Sequence, residues 1–242
     1  MIKAVLRTIG ADKPYKFIRT SYYRWKLLKN NFTLNKNIQW FGLPWCGFYL
    51  DITKLRENAI VFSFGVGTDI SFDLALYKKG VHQIYLFDPT LASQQFINKI
   101  SLPPGIQFDP IGLSDQNEFV SFYLPIKTER ISGSAHPAAH LKKESPYQVQ
   151  MHDLPEIMQK NAVKKIDILK LDIEGSEFKV IENIFALKIF PEQICVEFHQ
   201  RFFEDGYLKF ERCLQLFREN NYVHCARSQD EGYLFCLNNT TS

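Results

Sequence analysis

The sequence lacks several features that would place it in a common protein class. Its five cysteines form no CxxC pair and are odd in number, which favours buried, reduced thiols over a disulfide framework. No apolar run approaches the ~20 residues that a membrane-spanning helix needs. The first residues are interrupted by Lys3 and Arg7 and lack the long apolar core of a cleaved signal peptide. We therefore expect a cytoplasmic protein.

Length and charge define two regions. The 242 residues are sufficient for one sizeable domain, and 45% apolar and 14% aromatic residues are typical of a folded, globular chain. The net charge of +3 conceals an asymmetry, because residues 1–38 carry nine Lys or Arg and one acid, Asp12, whereas the rest is mildly acidic. This pattern predicts a basic, aromatic N-terminal arm at residues 1–50 and a domain at residues 51–242.

The second region alternates strand-like and helix-like segments. Such alternation predicts an α/β fold with a mainly parallel sheet and helices on both faces. The strands are expected at 59–64, 83–87, within 106–113, and at 119–124, 166–171 and 194–198, with a terminal hairpin of 222–227 and 232–237. The helices are expected at 69–79, 91–100, 154–161, 176–185 and 208–220. Residues 125–150 are polar and rich in turn residues, which is typical of a long loop or lid.

The first two predicted strands are followed by residues that suit a nucleotide site. Gly65 and Gly67 let the backbone pass close to a ligand, and the following helix start can receive a carboxylate such as that of S-adenosylmethionine. Asp88 ends the next strand about 20 residues later, where an acid can accept both ribose hydroxyls of an adenosine ligand. An ordinary βα turn and a strand-ending Asp-Pro pair are the alternatives.

The absence of two glycine-containing motifs narrows the choice of cofactor. A dinucleotide fingerprint needs a third glycine at the position of Ile70, and no P-loop motif occurs. The pattern therefore favours an adenosine-type cofactor other than a dinucleotide or a nucleoside triphosphate, although it excludes neither of them.

Residues 166–183 carry a more specific signal. They form an apolar strand that ends Leu-Lys-Leu-Asp-Ile-Glu-Gly-Ser-Glu, followed by an amphipathic helix. This segment resembles the signature of the FkbM-type methyltransferases. The glycine turn, Asp88, the segments 111–115 and 132–134, and a strand ending at Glu197 and His199 follow in the family's order, so that the resemblance covers about residues 59–237. It implies a class I, Rossmann-like methyltransferase fold, S-adenosylmethionine as methyl donor, and usually O-methylation of sugars, glycans or other natural products.

The glycine turn departs from the family's pattern. Ser63 occupies the position of an acid, and Asp69 occupies that of a glycine. Asp69 can replace the missing acid by binding the ligand's amino group, or it can cap the helix. The resemblance thus gives a set of expected cofactor-binding residues: Ser63, Gly65, Gly67, Asp69, Asp88, Ser114 and Asp172.

Methylation of a hydroxyl requires a base, and the candidates follow two of the predicted strands. Ligands bind at the carboxyl ends of the strands in open α/β sheets, where Asp172, Glu174, Glu197 and His199 are expected. Asp172 and Glu174 can instead begin a helix, and His199 can be structural. The same groups suit a divalent metal, but sequence cannot show that they converge, and we expect no metal.

Three functions remain open. The first is S-adenosylmethionine-dependent O-methylation of a small-molecule or glycan hydroxyl. A nicotinamide-dependent oxidoreductase is disfavoured by Ile70 and by the 166–183 segment, and a catalytically silent adenosyl-binding protein is the third.

The basic arm suggests a peripheral contact with a surface. Residues 14–30 are predicted to form a helix with an aromatic and apolar stripe from Tyr15 to Leu28. It can pack as a cap on the domain, or its basic face can bind an anionic membrane or a polyanionic substrate. Nucleic acid is not expected, because the charge is local and no nucleic-acid module is recognised.

These two hypotheses make different predictions for removal of residues 1–38. Each Lys or Arg near an anionic membrane contributes about 1 kcal/mol, so the surface hypothesis predicts salt-sensitive co-sedimentation with anionic vesicles that truncation abolishes. The cap hypothesis predicts instead a lower melting temperature and aggregation of the truncated protein, because an apolar surface becomes exposed. Failure of the full-length protein to bind vesicles at low salt eliminates the surface hypothesis.

Overall fold

The structure is a computed structural model that describes residues 35–122, 147–228 and 231–238. Its strands are β1 (Ile38–Phe41), β2 (Phe48–Asp51), β3 (Ile60–Phe64), β4 (Gln83–Phe87), β5 (Ile106–Asp109), β6 (Gly112–Leu113), β7 (Glu118–Phe122), β8 (Tyr147–His152), β9 (Ile168–Leu171), β10 (Gln193–Glu197), β11 (Tyr222–Arg227) and β12 (Gly232–Leu237). Its α-helices are α1 (Ser71–Tyr77), α2 (Leu91–Ile97), α3 (Leu154–Lys160), α4 (Glu177–Ala186) and α5 (Gly206–Glu219).

Seven strands form the central sheet, in the order β11-β12-β10-β9-β3-β4-β5. The pairs β10–β9, β9–β3, β3–β4 and β4–β5 are parallel, whereas β12 runs antiparallel to both β10 and β11. The predicted class I architecture, a mainly parallel sheet with an antiparallel C-terminal hairpin, is therefore confirmed. All four residues of β9 are buried, as expected for a central parallel strand covered on both faces.

The order of the strands determines where a ligand can bind. From β3 the chain moves outward to β4 and β5, and it returns to the other side of β3 as β9. The connections after β3 and β9 therefore diverge, and they leave a crevice at the carboxyl ends of these strands.

A second sheet includes part of the segment that was predicted to be a loop. β6, β8 and β7 form a three-stranded sheet, and β8 begins at Tyr147, inside the predicted loop of residues 125–150. Val149 and Met151 are buried, while Gln148 and Gln150 are exposed. This alternation with period two indicates a strand, but the polar composition of the segment concealed it. The rest of the predicted lid, up to residue 146, lies outside the described residues.

The β1–β2 hairpin belongs to the described part of the predicted arm. Phe41, Phe48 and Leu50 are buried in the main core cluster. The side chain of Gln193 in β10 accepts a hydrogen bond from the Asp51 N–H at 2.8 Å and donates one to the Asp51 carbonyl at 3.2 Å. The helix predicted at residues 14–30 lies outside the described residues. Within the described ranges, no helix is both long and apolar enough to cross a membrane.

Candidate active site

A cavity of about 410 Å³ lies at the carboxyl ends of β3, β4 and β9. This size is in the range of small-molecule sites. The second sheet and the turn between β1 and β2 contribute the remaining walls. The lining residues are Trp45, Cys46, Phe64, Gly65, Val66, Gly67, Thr68, Asp69, Phe87, Asp88, Pro89, Thr90, Gly112, Leu113, Phe122, Met151, Lys170, Asp172, Ile173, Glu174 and Ser176.

Gly65 and Gly67 shape the wall nearest β3. Both have positive φ angles, +76° and +53°. A Cβ on Gly65 would stand 1.7 Å from the carbonyl oxygen of Asp172, whereas a Cβ on Gly67 would meet no heavy atom within 4 Å. Gly65 therefore permits the turn after β3 to touch the turn after β9, and Gly67 leaves space along the cavity.

Asp88 connects the glycine turn to the end of β4. Its carboxylate accepts hydrogen bonds from the Gly67 N–H at 2.8 Å, from the Thr90 N–H at 2.8 Å and from the Thr90 hydroxyl at 2.5 Å. An ionised carboxylate has about four acceptor sites, so capacity remains on Oδ2 for a hydroxyl group. This buried acid thus holds the glycine turn in place and still faces the cavity.

Asp69 stabilises the start of a helix and also lies at the cavity. Its Oδ1 accepts a hydrogen bond from the Ser71 N–H at 2.8 Å, which orders the start of α1, and the residue also lines the cavity. Burial opposes ionisation of Asp69, but the hydrogen bonds from Ser71 prevail and lower its pKa. The cavity therefore contains a charged carboxylate next to the glycine turn.

Two of the expected cofactor-binding residues do not line the cavity. Ser63 is fully buried within β3, where its hydroxyl adjoins the buried carboxyl group of Asp73. Ser114 follows β6, and its hydroxyl bonds to the Asp115 side chain at 3.2 Å. The geometry brings neither hydroxyl to the cavity wall, so their cofactor roles stay predictions.

Lys170 is a residue that the sequence analysis missed. It lies in β9 and is 4% exposed, and its Nζ donates hydrogen bonds to the carbonyls of Gly65 at 2.9 Å and Phe64 at 3.3 Å. The ammonium group therefore ties the glycine turn to β9. A lysine within an otherwise apolar strand was the available signal, because buried lysines are rare without partners.

The four candidate acids and bases converge around His199. Its Nδ1 lies 2.6 Å from Oε1 of Glu177, a fully buried residue at the start of α4. Its Nε2 lies 3.3 Å from Glu174, 3.6 Å from Glu197 and 3.9 Å from Asp172. Asp172 and Glu174 follow β9, whereas Glu197 ends β10, so the parallel pairing of these strands creates the cluster.

The charged groups of this cluster change one another's pKa values. Burial acts to lower the pKa of His199, but the carboxylate of Glu177, with Asp172 and Glu174, raises it to about 9. Burial and the negative charge of Asp172 raise the pKa of Glu197 to about 8. Without a further cation, His199 is charged at neutral pH and has no lone pair for a proton. The role of His199 as the base stays a prediction.

Glu177 and Trp45 are two further residues of the site that the sequence did not indicate. Glu177 accepts hydrogen bonds from the Gly175 N–H at 3.0 and 3.1 Å and anchors His199. Trp45 is 71% exposed at the cavity. Three ligand atoms suited to a metal, from Asp172, Glu174 and His199, lie within 4.8 Å of one another.

Comparison with known proteins identifies one family. The model of the Methyltransferase FkbM domain matches residues 49–223, which is more than half of the chain. A search of curated proteins gives no match. Among solved structures, the crystal structure of M. jannaschii TYW2 in complex with AdoMet is 8% identical and covers 83% of this chain and 84% of that chain, with a TM-score of 0.30. A likeness of this size carries no argument about function.

Replacing Gly65 or Gly67 by alanine should lower the free energy of unfolding by different amounts. Gly65→Ala should lower the free energy of unfolding by ~3 kcal/mol or more, because the Cβ collides with a backbone oxygen of the neighbouring turn. Gly67→Ala should cost only ~1 kcal/mol, the strain of a left-handed conformation. Urea denaturation of both variants measures the difference. Equal losses would contradict the close contact between the two turns.

Proposed function

Because the chain belongs to the Methyltransferase FkbM domain family and is an S-adenosylmethionine-dependent methyltransferase, we propose that it methylates a hydroxyl group of a sugar, glycan or related natural product. The observation that carries the proposal is that the cavity and the His199 cluster meet at one edge of the sheet. Asp172 lines the cavity beside the glycine turn, and it also belongs to the His199 cluster. A donor pocket and acid–base groups therefore share one wall.

The residues of the cavity fit the donor. The remaining acceptor capacity of Asp88 suits a ribose hydroxyl. The open space beside Gly67 lets a ligand approach the backbone, and the ionised carboxylate of Asp69 suits an ammonium group. This assignment gives Asp69 the function of the acid that the family usually has at the position of Ser63.

The chemistry divides between the donor and the protein. When bound, S-adenosylmethionine supplies a methyl group whose bond to the sulfonium sulfur breaks as a bond to the acceptor oxygen forms, and the sulfur keeps the electron pair. The protein must hold the acceptor in line and receive its proton. Asp172 suits the second task, because its side chain is 29% exposed and faces the cavity. His199, held by Glu177, lies behind it as a positive charge.

Trp45 supports an acceptor with apolar faces and hydroxyl edges. Its indole is exposed at the cavity, although large aromatic side chains are usually buried. An exposed ring gives a flat apolar surface, whereas the carboxylates of Asp172 and Glu174, which line the same cavity, can accept hydrogen bonds. A sugar ring offers both kinds of surface. The family match opposes the nicotinamide oxidoreductase, and a catalytically silent protein is an outcome of the tests below.

We expect S-adenosylmethionine or its demethylated product to bind with micromolar affinity, about −8 kcal/mol, measured by calorimetry. Asp88→Ala should abolish most of this binding, because the substitution removes a ribose acceptor and releases the Gly67 N–H. Asp109→Ala, at the end of the adjacent β5, is the matched control and should bind normally. Tight NADH binding without any response to S-adenosylmethionine would refute the assignment.

Asp172→Asn and His199→Ala should lower turnover much more than they lower cofactor affinity. A positioned base contributes about 10²–10⁴-fold, so we expect a loss in that range for Asp172→Asn. The rate is measured as S-adenosylhomocysteine released with a panel of hydroxyl acceptors, and Asp115→Asn serves as an isosteric control. If the wild type binds the donor but methylates no acceptor, the silent alternative holds. Wild-type rates in both variants would refute the roles of these residues.

A further inference from the structure

We propose that Asp172, Glu174 and His199 bind one first-row divalent cation of the Mn²⁺ type, which holds the acceptor hydroxyl at the cavity wall. Binding of the cation depends only on the geometry of these three residues, whereas the cation's role toward the acceptor rests on the proposed function. Sequence could not show that these residues converge, but the structure brings one ligand atom of each within 4.8 Å of the others.

The distances around Nε2 of His199 suit a shared cation better than hydrogen bonds. An N–H···O bond has a donor–acceptor distance of about 2.7–3.2 Å. The carboxylates of Glu174, Glu197 and Asp172 lie at 3.3, 3.6 and 3.9 Å, all beyond that range. Neighbouring ligands of a cation at about 2.1–2.5 Å stand roughly 3.0–4.0 Å apart in a tetrahedral or octahedral shell. The distances to the two proposed carboxylate ligands, 3.3 Å for Glu174 and 3.9 Å for Asp172, match the edges of such a shell.

Glu177 orients the imidazole as a ligand. The short contact of its Oε1 with Nδ1, 2.6 Å, holds a proton on that nitrogen and directs Nε2 toward the carboxylates. A metal-bound histidine commonly donates its other N–H to a carboxylate in this way. His199 is 1% exposed, and Glu177 is fully buried. A proton on Nε2 can serve one acceptor at a time, whereas a divalent cation is shared by several.

Two ligands reach the cluster from a strained turn. Glu174 has a φ of +51°, a left-handed conformation that is uncommon for residues other than glycine, and Gly175 follows at +108°. Such strain persists where surrounding structure enforces it, often at functional sites. In this turn the strain directs Glu174 back toward His199 and keeps it on the cavity wall.

The donor set indicates the class of cation and its role. One imidazole with two carboxylates suits a first-row ion such as Mn²⁺ or Fe²⁺, whereas Ca²⁺ prefers oxygen ligands alone. Three protein ligands leave coordination positions that face the cavity, because Asp172 and Glu174 both line it. A hydroxyl in such a position has a lowered pKa. The proton of this hydroxyl then passes to the second carboxylate oxygen of Asp172 as the O–CH₃ bond forms and the S–CH₃ bond breaks, without any oxidation or reduction.

The test uses full-length protein that has been dialysed against a chelator. It is titrated with MnCl₂, and bound Mn²⁺ is measured by electron paramagnetic resonance. We expect one Mn²⁺ per chain in the wild type and at least ~10-fold weaker binding in Glu174→Gln and Asp172→Asn. The matched control is His82→Ala, because His82 is exposed and its ring packs edge to face against Tyr77, outside the cluster. His199→Ala should also lose Mn²⁺ binding. If the loss of the buried His199 prevents folding, the partly exposed Glu174→Gln variant still tests the site.

Two outcomes would overturn the proposal: the wild type binds no stoichiometric Mn²⁺, or Glu174→Gln binds it as tightly as the wild type. Calorimetry with S-adenosylmethionine in chelator separates this failure from failure of the proposed function. Donor binding and full acceptor methylation in chelator would refute the metal and retain the methyltransferase. Loss of methylation in chelator and its recovery with Mn²⁺, but not in Glu174→Gln, would support the role toward the acceptor.

Discussion

The close contact between the turns after β3 and β9 is the constraint on which the site depends. Gly65 has no Cβ, so its backbone can lie against the carbonyl of Asp172, and the Asp172 N–H bonds to the Phe64 carbonyl at 3.2 Å. Lys170 adds a second tie by donating to the carbonyls of the glycine turn. The donor pocket and the acid–base cluster are consequently parts of one rigid wall. Methyl transfer requires such rigidity, because small displacements of the reacting groups cost large factors in rate.

The second constraint is electrostatic. Asp172, Glu174, Glu177 and Glu197 surround one buried imidazole, and Arg201 approaches Glu197 at 4.0 Å. One of these carboxylates is fully buried and three are partly buried, and such crowding is expensive unless positive charge accompanies it. A proton on Nε2 of His199 supplies part of that charge, and a divalent cation bound there in place of the proton would supply more. A protein that needed only stability would bury apolar residues at these positions, so the cluster is the part of the fold that function explains best.

Several features could be predicted because their causes are local. β4 and the two strands of the C-terminal hairpin begin and end where the apolar runs indicated. β8 was missed, although Val149 and Met151 alternate with glutamines, because turn residues dominate the composition of the preceding segment. Lys170 and Glu177 were missed for another reason. The apolar residues around Lys170 indicated its burial, but the sequence does not show which groups either side chain contacts. Their roles come from neighbours that are distant in the chain.

The sequence by itself determined the class of fold, the family and the positions of the glycine turn, Asp88 and the acidic turn at Asp172. These depend on periodicity, on residues that permit unusual backbone angles, and on a motif of consecutive residues. Only the tertiary structure decided that Asp172 and Glu174 meet Glu197 and His199, and that Ser63 and Ser114 lie outside the cavity. The physical reason is that these outcomes depend on the order of strands in the sheet and on the face from which each side chain emerges. Both are set by packing between segments far apart in the chain.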